Sequence, residues 1–190
     1  MNDLRVFYEI DWNHHLPRIA IVDDRETIDA LKGERTERWV IGWSEGRTVY
    51  LLNRDNLETE SNHKYTADDY SALLKHELSH SFYKVLSQGH HKPIWLNEGI
   101  AIYVSGQNRI KKRPSAFSKF LEYYENGGDG IYSEAGFFVE GLIEKAGKQK
   151  LLRIIRSLRG IETKEEFEQL FANEYGFSLN YDEINTQELI

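Results

Sequence analysis

Thr66-Ala-Asp-Asp-Tyr-Ser-Ala-Leu-Leu-Lys-His76-Glu77-Leu78-Ser79-His80-Ser-Phe-Tyr-Lys-Val-Leu-Ser87 is the stretch whose reading decides the rest of the chain. Thr66 followed three residues later by Asp69 is a capping-box-like start, with Asp a weaker partner than Glu. The spacing predicts a helix from Thr66 to about Ser87, stopped at Gly89. Inside it lies His76-Glu77-Leu78-Ser79-His80, an H-E-x-x-H pattern. Two imidazoles at i and i+4 project from one helical face a turn apart, which suits two neighbouring tetrahedral positions on Zn²⁺. Glu77 lies about 100° further round. That places its carboxylate beside the open position of such an ion, where it can take a proton from water.

The pentapeptide arises by chance in a chain of this composition roughly 3% of the time, so context decides. With His76 as zero, His80 falls at about 40°, while Leu74, Leu78 and Val85 gather near 160–200°. Core histidines would lie among those apolar residues; this pair points elsewhere. The second test is Glu98, eighteen residues after His80 in Pro93-Ile-Trp-Leu-Asn-Glu-Gly-Ile-Ala-Ile-Tyr-Val104. That stretch is apolar almost all round, so a helix from about Trp95 to Gly106 should be buried. A carboxylate there needs a cation or strong donors. An Arg or Lys ion pair would serve, and so would a metal held by His76 and His80. Two His and one Glu leave a fourth position for water, as catalytic zinc sites do.

His76-Glu-Leu-Ser-His80 followed by Trp95-Leu-Asn-Glu-Gly-Ile-Ala-Ile-Tyr103 resembles the gluzincin zinc metallopeptidases, most nearly the compact peptidase MA-like proteins and more distantly the aminopeptidase N relatives. The resemblance is densest over 66–104 and weaker to about 160. It implies one Zn²⁺ held by His76, His80 and Glu98, with Glu77 as general base and acid. It also implies a zincin-like fold, in which an N-terminal mixed sheet lies over the motif helix and a helical half closes the cleft. In those proteins a tyrosine near the start of a later helix donates to the tetrahedral oxyanion. Tyr132 in Gly130-Ile-Tyr-Ser-Glu-Ala-Gly136 matches it by position, and its glycine-rich approach suggests a loop that closes over substrate. The chain also departs from that family's pattern. No G-x-M-E-N segment precedes the motif, which disfavours an aminopeptidase. Ile102 stands where thermolysin-like enzymes carry an Asp that orients a zinc histidine, so another acceptor must do that.

Around this centre, the first sixty-five residues read as β, with strands expected at Leu4–Ile10, Arg18–Asp23, Arg38–Trp43 and Thr48–Leu52. A hairpin turn is expected at 44–47 and a polar loop at 53–65. Further helices are expected at 115–126, 132–146, 148–158 and 163–175, with Gly127-Gly128-Asp129-Gly130 as a flexible joint. Strands first and helices after, β-rich 1–65 and helical 66–190, make one α+β domain of 190 residues. Lys and Arg total 24 against 31 Asp and Glu, a net charge of −7. That argues against nucleic-acid and anionic-membrane partners. The absence of cysteine excludes disulfide scaffolds and thiolate zinc fingers. An acidic start with no apolar leader and no long apolar window points to a cytoplasmic protein.

His90 and His91, like His14 and His15, read as solvated loop residues. The basic run Lys145, Lys148, Lys150, Arg153, Arg156 and Arg159, followed by acidic Glu162, Glu165, Glu166 and Glu168, reads as solvated helix faces with mutual ion pairs. If Thr48–Leu52 is the sheet edge beside the cleft, an extended peptide would add to it as a further strand. The sequence reading is thus a zinc peptidase, an endopeptidase, with a peptide or protein substrate. Two alternatives stand beside it. One is a cytosolic regulatory metalloprotein acting on one specific protein partner, and the other is a non-catalytic binding domain that keeps the zincin fold.

Overall fold

The computed structural model describes residues 1–12 and 16–190, so His14 and His15 lie outside the described residues. The architecture is mixed α+β. In chain order it runs α1 (Asn2–Tyr8), β1 (Arg18–Val22), α2 (Arg25–Lys32), β2 (Gly42–Glu45), β3 (Thr48–Leu52) and the single turn α3 (Leu57–Glu60). The long α4 (Ala67–Leu86) and α5 (Ile94–Ser105) follow, then α6 (Asp129–Ala146), α7 (Lys148–Ser157), α8 (Lys164–Tyr175) and the short α9 (Tyr181–Ile184). Among the described residues no helix is long and apolar enough to cross a membrane.

The sheet has the order β1-β3-β2. β1 runs parallel to β3, pairing Arg18 with Thr48 through Val22 with Leu52, and β2 runs antiparallel, pairing Gly42 with Leu51 through Glu45 with Thr48. β3 is therefore the central strand, which corrects the expectation that Thr48–Leu52 forms the edge beside the cleft. Its backbone is occupied on both sides, and the strand whose outer side is unpaired near the motif helix is β2. Alternation along β3 divides its side chains between two cores. Val49 and Leu51 join the main core, while Leu52 packs with Val22, Ile28, Trp43 and Leu57 beneath α2.

The helix over Thr66–Ser87 forms as read. The Thr66 hydroxyl accepts from the Asp69 amide and Ser87 caps the other end. Its packed face differs from the Leu74–Leu78–Val85 stripe. Val85 is exposed, and the buried residues are His76, Glu77, Leu78, Ser79, Phe82 and Tyr83. The cause is α1, which was expected as a strand. Leu4 and Tyr8, four residues apart, are both fully buried, while Val6 between them is 65% exposed. That is helical periodicity rather than alternation. Tyr8 stacks on Phe82 and shares a 2.6 Å hydrogen bond with Ser79, so α1 covers the back of α4.

The helix expected at 115–126 is absent; that segment holds only a 3-10 turn at Phe120–Glu122. Its amides find a distant partner instead. The buried Glu134 carboxylate of α6 accepts from the N–H groups of Ser118, Lys119 and Phe120. The carbonyls of Tyr124 and Tyr123 then accept from Ile94 and Trp95, the free first-turn amides of α5. Gly128 and Gly130 lie against the Tyr123 ring, where a Cβ would collide. Gly128 and Gly130 thus permit close packing of this segment on Tyr123. The basic run on α7 does pair, though not with Glu162–Glu168: Lys148 and Arg156 meet Glu9, and Arg153 meets Glu174, tying α1 and α8 to α7.

Candidate metal centre

α4 and α5 bring His76, His80 and Glu98 together. One ligand atom from each lies within 4.8 Å of the others. The separations are 3.2 Å between the two imidazole Nε2 atoms, 3.3 Å from His76 Nε2 to Glu98 Oε2 and 3.5 Å from His80 Nε2 to Glu98 Oε1. A tetrahedral ion with ligand bonds of about 2.0–2.1 Å has ligand–ligand edges of about 3.3–3.4 Å. The two imidazoles stand near that spacing, and each faces a different oxygen of the Glu98 carboxylate, His76 facing Oε2 and His80 facing Oε1.

The outer ring nitrogens explain why the inner ones face each other. His80 Nδ1 donates to Asn97 Oδ1 at 3.0 Å and His76 Nδ1 donates to Gln107 Oε1 at 3.1 Å. Each amide oxygen fixes a tautomer and leaves the Nε2 lone pair pointing inward. In that tautomer two lone pairs and a carboxylate converge, and Glu98 Oε2 is left without a hydrogen bond among the described residues. Such a group fits a divalent cation and is unfavourable without one.

Asn97 and Gln107 are the acceptors that the apolar Ile102 left unaccounted for. Asn97 directly precedes Glu98 on α5. Gln107 follows Gly106, whose left-handed backbone (φ +82°) ends α5 and turns the chain back toward His76. The signal for Asn97 was present as the neighbour of the third ligand. Gln107 carried none, because its partner is 31 residues away.

Glu77 is buried beside the three ligands and does not join them. Burial pushes its carboxyl up to about 7 and Glu98 adds to this, while His80 and Lys32 oppose it. Glu98 behaves oppositely: burial would raise its carboxyl, but His80 and His76 outweigh that and hold it below its ordinary value. Two neighbouring buried carboxyls are thus shifted in opposite directions.

Tyr132, in the first turn of α6, is brought to the same place. It lines the cleft beside His76 and Glu77. Desolvation by the cleft walls, then the Glu98 and Glu77 carboxylates, raise its phenol and keep it an O–H donor. Lys111 donates to the Tyr132 carbonyl at 2.7 Å and lies 5.5 Å from its ring, holding this turn to the segment that carries Gln107. Sequence reasoning missed Lys111.

The cleft extends to either side of Glu77. One arm, about 850 Å³, is lined by polar groups including Lys32, Arg35, Lys84 and the loop residues His90 and His91. The other, about 660 Å³, is walled by Ile41, Leu57, Tyr70, Leu73 and Ile110. Trp39, Val40, Gly42, His76, Glu77 and Tyr132 border both. No family model, curated protein or solved structure matches the chain.

Proposed function

We propose that this chain is a zinc-dependent peptidase of the gluzincin type with a zincin-like fold, cutting within peptide or protein substrates. The observation that carries the reading is the convergence of His76, His80 and Glu98, one ligand atom from each within 4.8 Å of the others, with the buried Glu77 carboxylate alongside. The donor set of two imidazoles and one carboxylate suits zinc and leaves room for water and substrate. A cleft open on both sides of Glu77 supports an endopeptidase, because a chain can enter by one arm and leave by the other. Within this reading the setting is the cytoplasm, which a cysteine-free chain tolerates.

When bound, the ion supplies Lewis-acid polarisation of the scissile carbonyl and of water. The remaining work belongs to the protein. Glu77 accepts a proton from the attacking water and later delivers it to the departing amine, for which a carboxyl near neutrality is suited. Asn97 and Gln107 hold the two imidazoles in the tautomer that offers Nε2 inward. Tyr132, kept protonated, donates to the oxygen on which charge develops.

The test is a peptide-library digest of zinc-loaded wild type and two variants, with metal content measured in each. Glu77→Gln should keep one ion per chain and lose about 10²–10⁴ in turnover. His80→Ala should lose the ion itself. A Glu77→Gln protein as active as wild type would remove Glu77 from the chemistry. Cleavage of a single protein with silence on every peptide would favour a dedicated regulator.

A further inference from the structure

The segment 37–41 has neither helix nor strand, yet each of its carbonyls has a donor. Glu37 O accepts from Arg25 Nη1 at 3.2 Å and from the Val40 amide. Arg38 O accepts from Arg25 Nη2 and the Asn62 amide, and Trp39 O accepts from His63 Nε2 at 3.1 Å. Val40 O accepts from Arg25 Nη1 at 2.8 Å, and Ile41 O from the Leu52 amide. Arg25 is itself fixed, since its amide donates to the Glu60 carboxylate and its guanidinium to Glu60 O and Thr36 Oγ1. One guanidinium fork thus grips the loop on both sides of residue 39.

This rigid loop holds a large apolar side chain out in solvent. Trp39 is 59% exposed, and Ile110 across the same mouth is 72% exposed. Both border the arm whose walls are Ile41, Leu57, Tyr70 and Leu73 and whose inner end is His76 and Glu77. An aromatic carried on a backbone pinned in this way, at the mouth of an apolar cavity, is the form a preorganised anchor takes: the loop's ordering is complete before the ligand arrives. The opposite arm also borders Trp39 and includes Trp43 and Tyr83, but it mixes them with lysines, an arginine and histidines and is the more polar of the two. Because the apolar arm ends on the candidate metal centre, its occupant must be attached to the group the centre acts upon.

We propose that this arm binds one bulky apolar side chain flanking the reacting bond, that Trp39 and Ile110 set its selectivity, and that Arg25 positions Trp39 by pinning the loop around it. The proposal rests on the peptidase reading and deepens it by naming the substrate class.

The experiment measures, by calorimetry on the zinc-loaded protein, the affinities of N-acetyl-phenylalanine hydroxamate and N-acetyl-alanine hydroxamate. The benzyl probe should bind at least about tenfold more tightly, the scale expected for burying a ring in place of a methyl. Trp39→Ala should narrow that ratio to about threefold or less, and Trp39→Phe should restore most of it. Trp39 supports no core, so these variants fold whatever becomes of Arg25. Arg25→Lys, which keeps the charge and loses the fork, should narrow the ratio too and speed amide exchange at 37–41. Equal affinities in wild type, or a ratio untouched by Trp39→Ala, overturn the proposal; a ratio untouched by Arg25→Lys overturns the part given to Arg25. Discrimination between the probes by a protein that cleaves no peptide sinks the peptidase reading and keeps the subsite. Cleavage indifferent to neighbouring side chains does the reverse, and binding of neither probe overturns both.

Discussion

Asn97 and Gln107 govern how well the two imidazoles are presented. Each offers an amide oxygen where related catalytic zinc sites often use a carboxylate, and a neutral acceptor orients a ring without adding charge to it. Replacing either by Ala frees a ring to rotate and removes its fixed tautomer. Asn97→Ala and Gln107→Ala should each weaken zinc binding about 10–100-fold, measured by competition with a chromophoric chelator. Unchanged affinity in both would mean that packing alone orients the rings. His76, Glu77 and His80 were legible from spacing, since helical geometry puts i and i+4 side by side whatever surrounds them. Glu98 was legible from its setting, a lone carboxylate in an apolar helix. Gln107, Lys111 and Arg25 were not. Each acts through a contact between segments far apart in the chain, and nothing local distinguishes such a residue from a solvated one.

At the scale of elements, the site depends on how closely α5 approaches α6. Gly99, next to Glu98, faces Ala135, and a Cβ there would stand 2.7 Å from the Ala135 carbonyl oxygen. Gly136 on α6 meets Ile102 and Asn108 in the same way. The two helices are held together by the absence of side chains. Gly99→Ala should therefore destabilise the metal-free protein by about 1–3 kcal/mol in urea unfolding, through overpacking. It should also weaken zinc binding, because the displaced turn carries Glu98. A more stable variant, as helix propensity alone would give, would contradict the close packing. The helices α4 to α8 were readable because each carries its own stop signals and periodicity. The strand expected at Arg38–Trp43 is instead a loop leading into β2 at Gly42–Glu45, and α2 was not expected. Two further segments were misread where distant contacts decided the outcome. In α1 a run rich in Val, Phe and Tyr coils because Leu4 and Tyr8 must both reach α4. Around 115–126, Glu134 takes the amides that a helix would have used.

Across the whole molecule, the helical remainder after residue 66 was legible as a change in hydrophobic period, but the expected β-rich beginning holds α1, α2 and α3 as well as the three strands, and more helical than strand residues. The strand order was not legible. Which strand becomes central depends on a crossover through α2 that no local pattern announces, and so the open edge fell on β2 instead of β3. The cleft is likewise a property of the assembly. Its floor comes from α4, its third ligand from α5, its far wall from Tyr132 of α6 and its rim from the loop before β2. These parts share one purpose only if His76, His80 and Glu98 hold an ion that keeps an open position. X-ray absorption at the zinc edge of the loaded protein tests this most directly. We expect one zinc per chain, with two imidazole nitrogens and carboxylate oxygen at about 2.0–2.2 Å and one further light atom from solvent. Zinc coordinated with fewer than two imidazoles, or the same spectrum from His80→Ala, would contradict it.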